Sequence, residues 1–153
     1  MALFVASKSF KSTLATRSTN LLQPLALRFY ATKPDVSFNE LQKLIHGVAP
    51  QKYVLIDVRE PNEVAQGKIP TAVHVPLGEV AQAFQLNSTD FKAKYGIPKP
   101  TSDIETVFYC RSGKRSSSAI EAVEKLGQDL TLRNFRGSWL EYSANALKDQ
   151  TLV

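Results

Sequence analysis

From residue 37 onward the apolar positions change their spacing several times, and each change predicts a new element. Phe38, Leu41, Leu44 and Ile45 recur at helical spacing, and Ser37-Phe38-Asn39-Glu40 ahead of them has the form of a capping box, so a helix is expected to run as far as Gly47. The next run, YVLIDV at 53–58, is unbroken and β-rich. A strand that is apolar at successive positions has no face to give to water, which predicts burial on both sides in a parallel sheet. Residues 60–66 make a short helix before Gly67, 72–75 a second strand stopped by Pro76, and 78–85 and 90–95 two further helical stretches. Beyond the loop IPKPTS at 97–102, TVFY at 106–109 is a third buried strand that runs directly into Cys110. Ile120, Val123 and Leu126 define a helix over 116–126 that Gly127 ends, 130–132 reads as a fourth strand, and Gly137 and Ser138 open a last helix over 139–147.

Strand and helix signals that alternate with short connections predict an α/β domain of three layers, a mostly parallel sheet with helices on both faces. At 153 residues, with 43% hydrophobic and 22% charged positions, the chain has the size and composition of one globular domain that needs neither a disulfide nor a structural metal. One cysteine and two histidines, His46 and His74, exclude an intrachain disulfide and a zinc cluster, and no cofactor is expected. No role is assigned to either histidine.

The net charge of +5 suggests nucleic acid until it is located. Residues 1–32 carry Lys8, Lys11, Arg17 and Arg28 and no acid, which leaves 15 basic against 14 acidic residues over the remainder. The nucleic-acid reading then falls away. Seven serines and threonines between Ser7 and Thr19, interleaved with Leu, Phe and Ala, give this segment the composition of a mitochondrial transit peptide, although a plain basic tail would share it. Arg28-Phe29-Tyr30-Ala31 resembles a processing site with arginine three residues before the cut. The expected division is therefore a cleaved transit peptide at 1–32 and one folded domain at 33–153, imported into the mitochondrial matrix. No apolar run approaches the roughly 20 residues of a membrane span.

In parallel α/β folds ligands gather at the carboxyl ends of the strands. Two strand ends stand out, Asp57-Val58-Arg59-Glu60 and Cys110-Arg111-Ser112-Gly113-Lys114-Arg115-Ser116. The second combines a thiol, a glycine turn, three cations and a helix start near Ser116. Successive backbone N–H groups in such a loop can converge on an anion, and the helix N-terminus adds about half a positive charge behind it. A cysteine there should be held as thiolate, with Arg111, Lys114 and Arg115 reinforcing the effect, and its substrate should be a small anion. The alternative is a buried, inert thiol beside a solvated turn.

These stretches also carry a resemblance. From about Ser37 to its end the chain is similar to single-domain rhodaneses, the thiosulfate sulfurtransferases: Cys110-Arg-Ser-Gly-Lys-Arg-Ser resembles their active-site loop, Asp57-Val-Arg-Glu a strand-end motif, and Gly137-Ser-Trp-Leu-Glu-Tyr142 a C-terminal signature. A fourth stretch, Gly67 to Pro76, is a looser match, with Lys68, Thr71 and His74 where the family often has His, Gly and Asn. The resemblance implies that the Cys110 thiolate takes the outer sulfur of a small anionic donor such as thiosulfate, releases sulfite, and passes its persulfide to cyanide or a thiol acceptor. It further implies that Arg111, Ser112, Gly113, Lys114, Arg115 and Ser116 bind the donor. Asp57 and Arg59 suit a structural ion pair and take at most a supporting electrostatic role, and Trp139 is expected to pack behind the loop or in the core. Cysteine phosphatases on the same fold use a C-x5-R loop, whereas Cys110 and Arg115 stand as C-x4-R, which favours attack on sulfur. A persulfide carrier or docking module for a partner protein is the other reading.

Overall fold

The computed structural model describes residues 34–150. The expected transit peptide lies outside them. Within them the order is α1 (Phe38–Ile45), β1 (Tyr53–Asp57), α2 (Pro61–Val64), β2 (Val73–His74), a 3-10 turn at Leu77–Glu79, α3 (Val80–Gln85), α4 (Ser88–Tyr95), β3 (Glu105–Tyr109), α5 (Lys114–Glu124), β4 (Thr131–Asn134) and α6 (Ser138–Gln150). The four strands are all parallel, in the order β2-β1-β3-β4. This is the α/β architecture that the alternation of signals predicts.

The buried strands divide their side chains between two cores, as a two-sided sheet must. Ile56 and Phe108 point to one face and pack with Val80, Ala83 and Phe84 of α3, Phe91 of α4, and Ala119 and Val123 of α5. Leu55, Val107 and Tyr109 point to the other, where Leu41 and Leu44 of α1 cover them and Trp139 and Tyr142 of α6 complete the layer. Burying each such large apolar side chain contributes about 1.5–3 kcal/mol, which is why β1 and β3, at the centre of the sheet, have the most uniformly apolar sequences.

Local chemistry sets the element ends. Ser37 Oγ accepts the Glu40 N–H at 3.3 Å, as the capping motif predicts, but the Glu40 carboxylate goes to Arg133 on β4 at 3.0 Å. Arg133 is itself buried, paired also with Glu105 at 2.8 Å and donating to the Pro34 carbonyl at 2.8 Å. An internal arginine hides β4 from an apolar pattern, so the strand runs to Asn134 rather than stopping at Leu132. The other difference that matters is at α5, which starts at Lys114 and not near Ser116. Gly113 caps it at φ 87°, a left-handed conformation that turns the chain out of the loop two residues early.

The chain leaves β1 for β2 on one side and then returns past β1 to β3 on the other. The switch point between β1 and β3 is where ligands bind in such sheets. The residues just outside it are Val58 and Arg59 after β1 and Cys110 after β3.

Candidate active site

Cys110 directly follows β3 with its thiol turned into its own loop, at 1% exposure. The Gly113 N–H donates to Sγ at 3.1 Å, and Ser116 Oγ lies 3.6 Å away while also donating to the Gly113 carbonyl at 3.0 Å. Burial pushes the thiol up, but the Ser116 hydroxyl and the amides of Ser116, Ser112 and Gly113 outweigh it and hold Cys110 below the ordinary cysteine value. Of the loop residues expected from the sequence, Ser112, Gly113 and Ser116 turn their donors towards the sulfur.

The loop is fixed from behind by the start of α6. Ser138 Oγ accepts the Cys110 N–H at 3.2 Å and donates to the Phe135 carbonyl at 2.8 Å, and the Trp139 and Leu140 amides donate to the carbonyls of Cys110 and Arg111 at 3.0 and 3.2 Å. Ser138 does this in a left-handed conformation, φ 54°, which is costly for a non-glycine residue. Gly113 has no alternative: besides its φ, a Cβ there would lie 2.5 Å from the Arg136 carbonyl oxygen.

The three cations of the loop separate. Arg115, in the first turn of α5, is clamped by both oxygens of Glu63 on α2, at 2.6 and 2.8 Å. That hydrogen bonding, against the penalty of burial, pulls Glu63 down to about 2. Arg111 points into a cavity of about 310 Å³ that it shares with Gln66 and Trp139, and Lys114 lines another of about 480 Å³ on the far side of the loop. The resemblance groups all three as donor-binding residues, and the structure spends one of them on a carboxylate.

Asp57 and Arg59 form a fully buried ion pair at 2.6 Å. Arg59 Nε also reaches Asp57 Oδ1 at 3.0 Å, its Nη2 donates to the Gly67 carbonyl at 2.8 Å, and its guanidinium lies 4.6 Å from the Trp139 ring centre. Tyr109 completes the group: its hydroxyl donates to Asp57 Oδ2 at 2.5 Å and accepts the Ile69 N–H at 3.1 Å. Burial and the neighbouring Asp57 push this phenol well above the usual tyrosine range, so it stays a donor. The network locks the ends of β1 and β3 together one residue before the thiol. Tyr109, Glu63 and Ser138 are the functional neighbours that the sequence does not reveal: each acts through a partner distant along the chain. In the looser stretch, Thr71 takes φ 69° where the related motif has glycine, and its hydroxyl meets that of Tyr53 at 2.8 Å. His74 Nε2 lies 2.8 Å from the Arg59 carbonyl oxygen, a structural contact.

A parallel α/β domain that turns converging amide donors towards one cysteine sulfur, at the switch point of its sheet and at the start of a helix, defines a class of cysteine-centred domain. Comparison with known proteins narrows the class. The model of the rhodanese-like domain matches residues 37–145. A Schizosaccharomyces pombe protein provisionally named as a mitochondrial thiosulfate sulfurtransferase is 46% identical over 90 residues, which span 59% of this chain and 63% of that protein. The thiosulfate:glutathione sulfurtransferase of Homo sapiens is 36% identical over 113 residues, 73% of this chain and 95% of that one. The solved structure of a human single-domain sulfurtransferase superposes with a TM-score of 0.65 at 34% identity, covering 73% of this chain and 96% of that one. The chain belongs to the rhodanese-like family.

Proposed function

We propose that the protein is a thiosulfate sulfurtransferase that works through a persulfide on Cys110. The observation that carries this reading is the Cys110 sulfur itself, which the Gly113 N–H meets at 3.1 Å and the Ser116 hydroxyl at 3.6 Å. In the first half-reaction the thiolate attacks the outer sulfur of thiosulfate; the new S–S bond forms as the bond to the SO3 group breaks, and sulfite leaves with the electron pair. Arg111, Ser112, Gly113 and Lys114 bind the anionic donor, and Ser116 supplies a hydroxyl to the sulfur. In the second half-reaction cyanide or a thiol removes the outer sulfur and restores the thiolate. The names of the two relatives described above support thiosulfate as donor, and the human one supports a thiol acceptor.

The clamped Arg115 weighs against phosphatase chemistry. A guanidinium already spanned by a carboxylate has two of its donors occupied and little net charge left for a tetrahedral dianion. Asp57 and Arg59 act by holding the frame, not by touching the donor. The mitochondrial name of the fission-yeast relative and the acid-free, basic composition of residues 1–32 together support a mitochondrial location, with removal of the segment near Ala31. Two half-reactions on one sulfur require ping-pong kinetics. Varying thiosulfate at several fixed cyanide concentrations should give parallel double-reciprocal lines, and lines that intersect would contradict the persulfide route.

A further inference from the structure

Asn134, the last residue of β4, is 8% exposed and holds its amide in one orientation. Its Nδ2 donates to the Gly113 carbonyl at 3.3 Å and to Ser117 Oγ at 3.1 Å, while its buried Oδ1 has no hydrogen-bond partner among the described residues. A buried acceptor left unpaired is unfavourable and calls for a reason. Turning the amide over would not relieve it, because Oδ1 would then face the Gly113 carbonyl oxygen, acceptor against acceptor. The orientation is set by what Nδ2 does in the loop.

The Gly113 carbonyl is the crowded point of that loop. Ser116 Oγ and Ser117 Oγ both donate to it at 3.0 Å, and the Ser117 N–H and Asn134 Nδ2 reach it at 3.3 Å. A carbonyl oxygen has two lone pairs, so these donors compete. Asn134 enters the competition twice. One of its N–H groups goes to the oxygen itself, and the other goes to Ser117 Oγ, which then acts as acceptor towards Asn134 and keeps its own proton aimed at Gly113. The more fully Asn134 and Ser117 serve this oxygen, the less it holds the Ser116 hydroxyl, whose other acceptor is Cys110 Sγ at 3.6 Å. With Ser116 fully buried, its proton has these two acceptors to choose between.

We propose that Asn134 is a positioning residue for the sulfurtransferase reading above, on which the proposal rests: it saturates the Gly113 carbonyl, directly and through Ser117, and so releases the Ser116 hydroxyl to the Cys110 sulfur. The hydroxyl rotates and keeps its proton, and no covalent bond changes. Because Asn134 acts through Ser116, its effect on the sulfur exists only while that hydroxyl is present.

The test is a double-mutant cycle on the full chain, read by the pH midpoint of Cys110 alkylation with iodoacetamide. Asn134→Leu nearly keeps the volume and removes both donors; Ser117→Ala, a change at an exposed position of α5, removes the second route alone. Each should move the midpoint upward, Asn134→Leu by about half a pH unit and Ser117→Ala by less, and neither should move it further in a Ser116→Ala background. Arg115, which interacts electrostatically with Cys110, and its partner Glu63 are unchanged throughout. A midpoint that stays in place in both single variants, or an upward shift that persists at full size without the Ser116 hydroxyl, overturns the assignment. If Asn134→Leu does not fold, Ser117→Ala in the two backgrounds decides alone. Failure of the underlying reading looks different: the unmodified protein would then form no thiocyanate from thiosulfate and cyanide, and the role of Asn134 in that reaction would fall with it.

Discussion

At the scale of single residues the chemistry turns on a contest at Cys110. Desolvation opposes the thiolate, and converging hydrogen-bond donors favour it; the donors win and hold Cys110 below the ordinary cysteine value. The Ser116 hydroxyl has one proton and two acceptors, Sγ at 3.6 Å and the Gly113 carbonyl at 3.0 Å, and a charged sulfur competes for it better than a neutral one. Ser116→Ala should therefore move the midpoint of the alkylation pH profile of Cys110 upward and slow sulfur uptake at neutral pH by roughly three- to ten-fold, the worth of one weak charge-assisted hydrogen bond. A profile that stays in place would show that the amides alone set the thiolate. Cys110 is legible from sequence because a lone thiol, a glycine turn and a cluster of cations coincide at the end of an apolar strand. Tyr109 is not, because in sequence it is one more apolar strand residue, and the Asp57 carboxylate that gives it a purpose lies 52 positions away.

Among the elements, the short turn between β3 and α5 carries most of the design. Its backbone must reverse, aim amides at the sulfur and begin a helix within three residues, and only glycine meets the demand at 113. Gly113→Ala combines left-handed strain with a Cβ 2.5 Å from the Arg136 carbonyl oxygen, which is backbone and cannot swing aside. The variant should lose about 2–3 kcal/mol of unfolding free energy, read as a lowered denaturation midpoint, and its Cys110 should alkylate more slowly. A variant as stable as the parent would mean that the turn is softer than its geometry. The strands were readable in proportion to how apolar they are: β1 and β3 fall where the unbroken runs lie, whereas β4 extends past its apolar stretch because Arg133 is buried by pairing with Glu40 and Glu105. α5 starts ahead of its apolar spacing because lysine and arginine carry no helix-start signal, and the glycine ahead of them serves as cap through its φ rather than through a side chain.

For the whole molecule, the strand order puts the ends of β1 and β3 side by side, and the Asp57, Arg59 and Tyr109 network fastens them into one rigid floor. Across that floor α2 and α5 are joined by Glu63 and Arg115, again 52 positions apart and invisible to any local pattern. The bridge has a pH signature. Glu63 titrates at about 2 in the folded protein against 4.5 for the free side chain, so its stabilisation is complete above pH 4.5 and is lost as pH falls through about 2. The difference in unfolding free energy between the parent and Glu63→Gln should be on the order of 1 kcal/mol near neutrality for this partly exposed pair, and should vanish across that acid window. A difference that is constant with pH would assign the effect to packing. The central claim, that Cys110 carries the sulfur, is tested most directly by intact mass of the chain from Lys33 onward, before and after thiosulfate and again after cyanide, beside Cys110→Ser. A gain of one sulfur atom with thiosulfate, its loss to cyanide with release of thiocyanate, and no gain in the serine variant is the predicted result. A parent protein that gains no sulfur, or a serine variant that does, would contradict it.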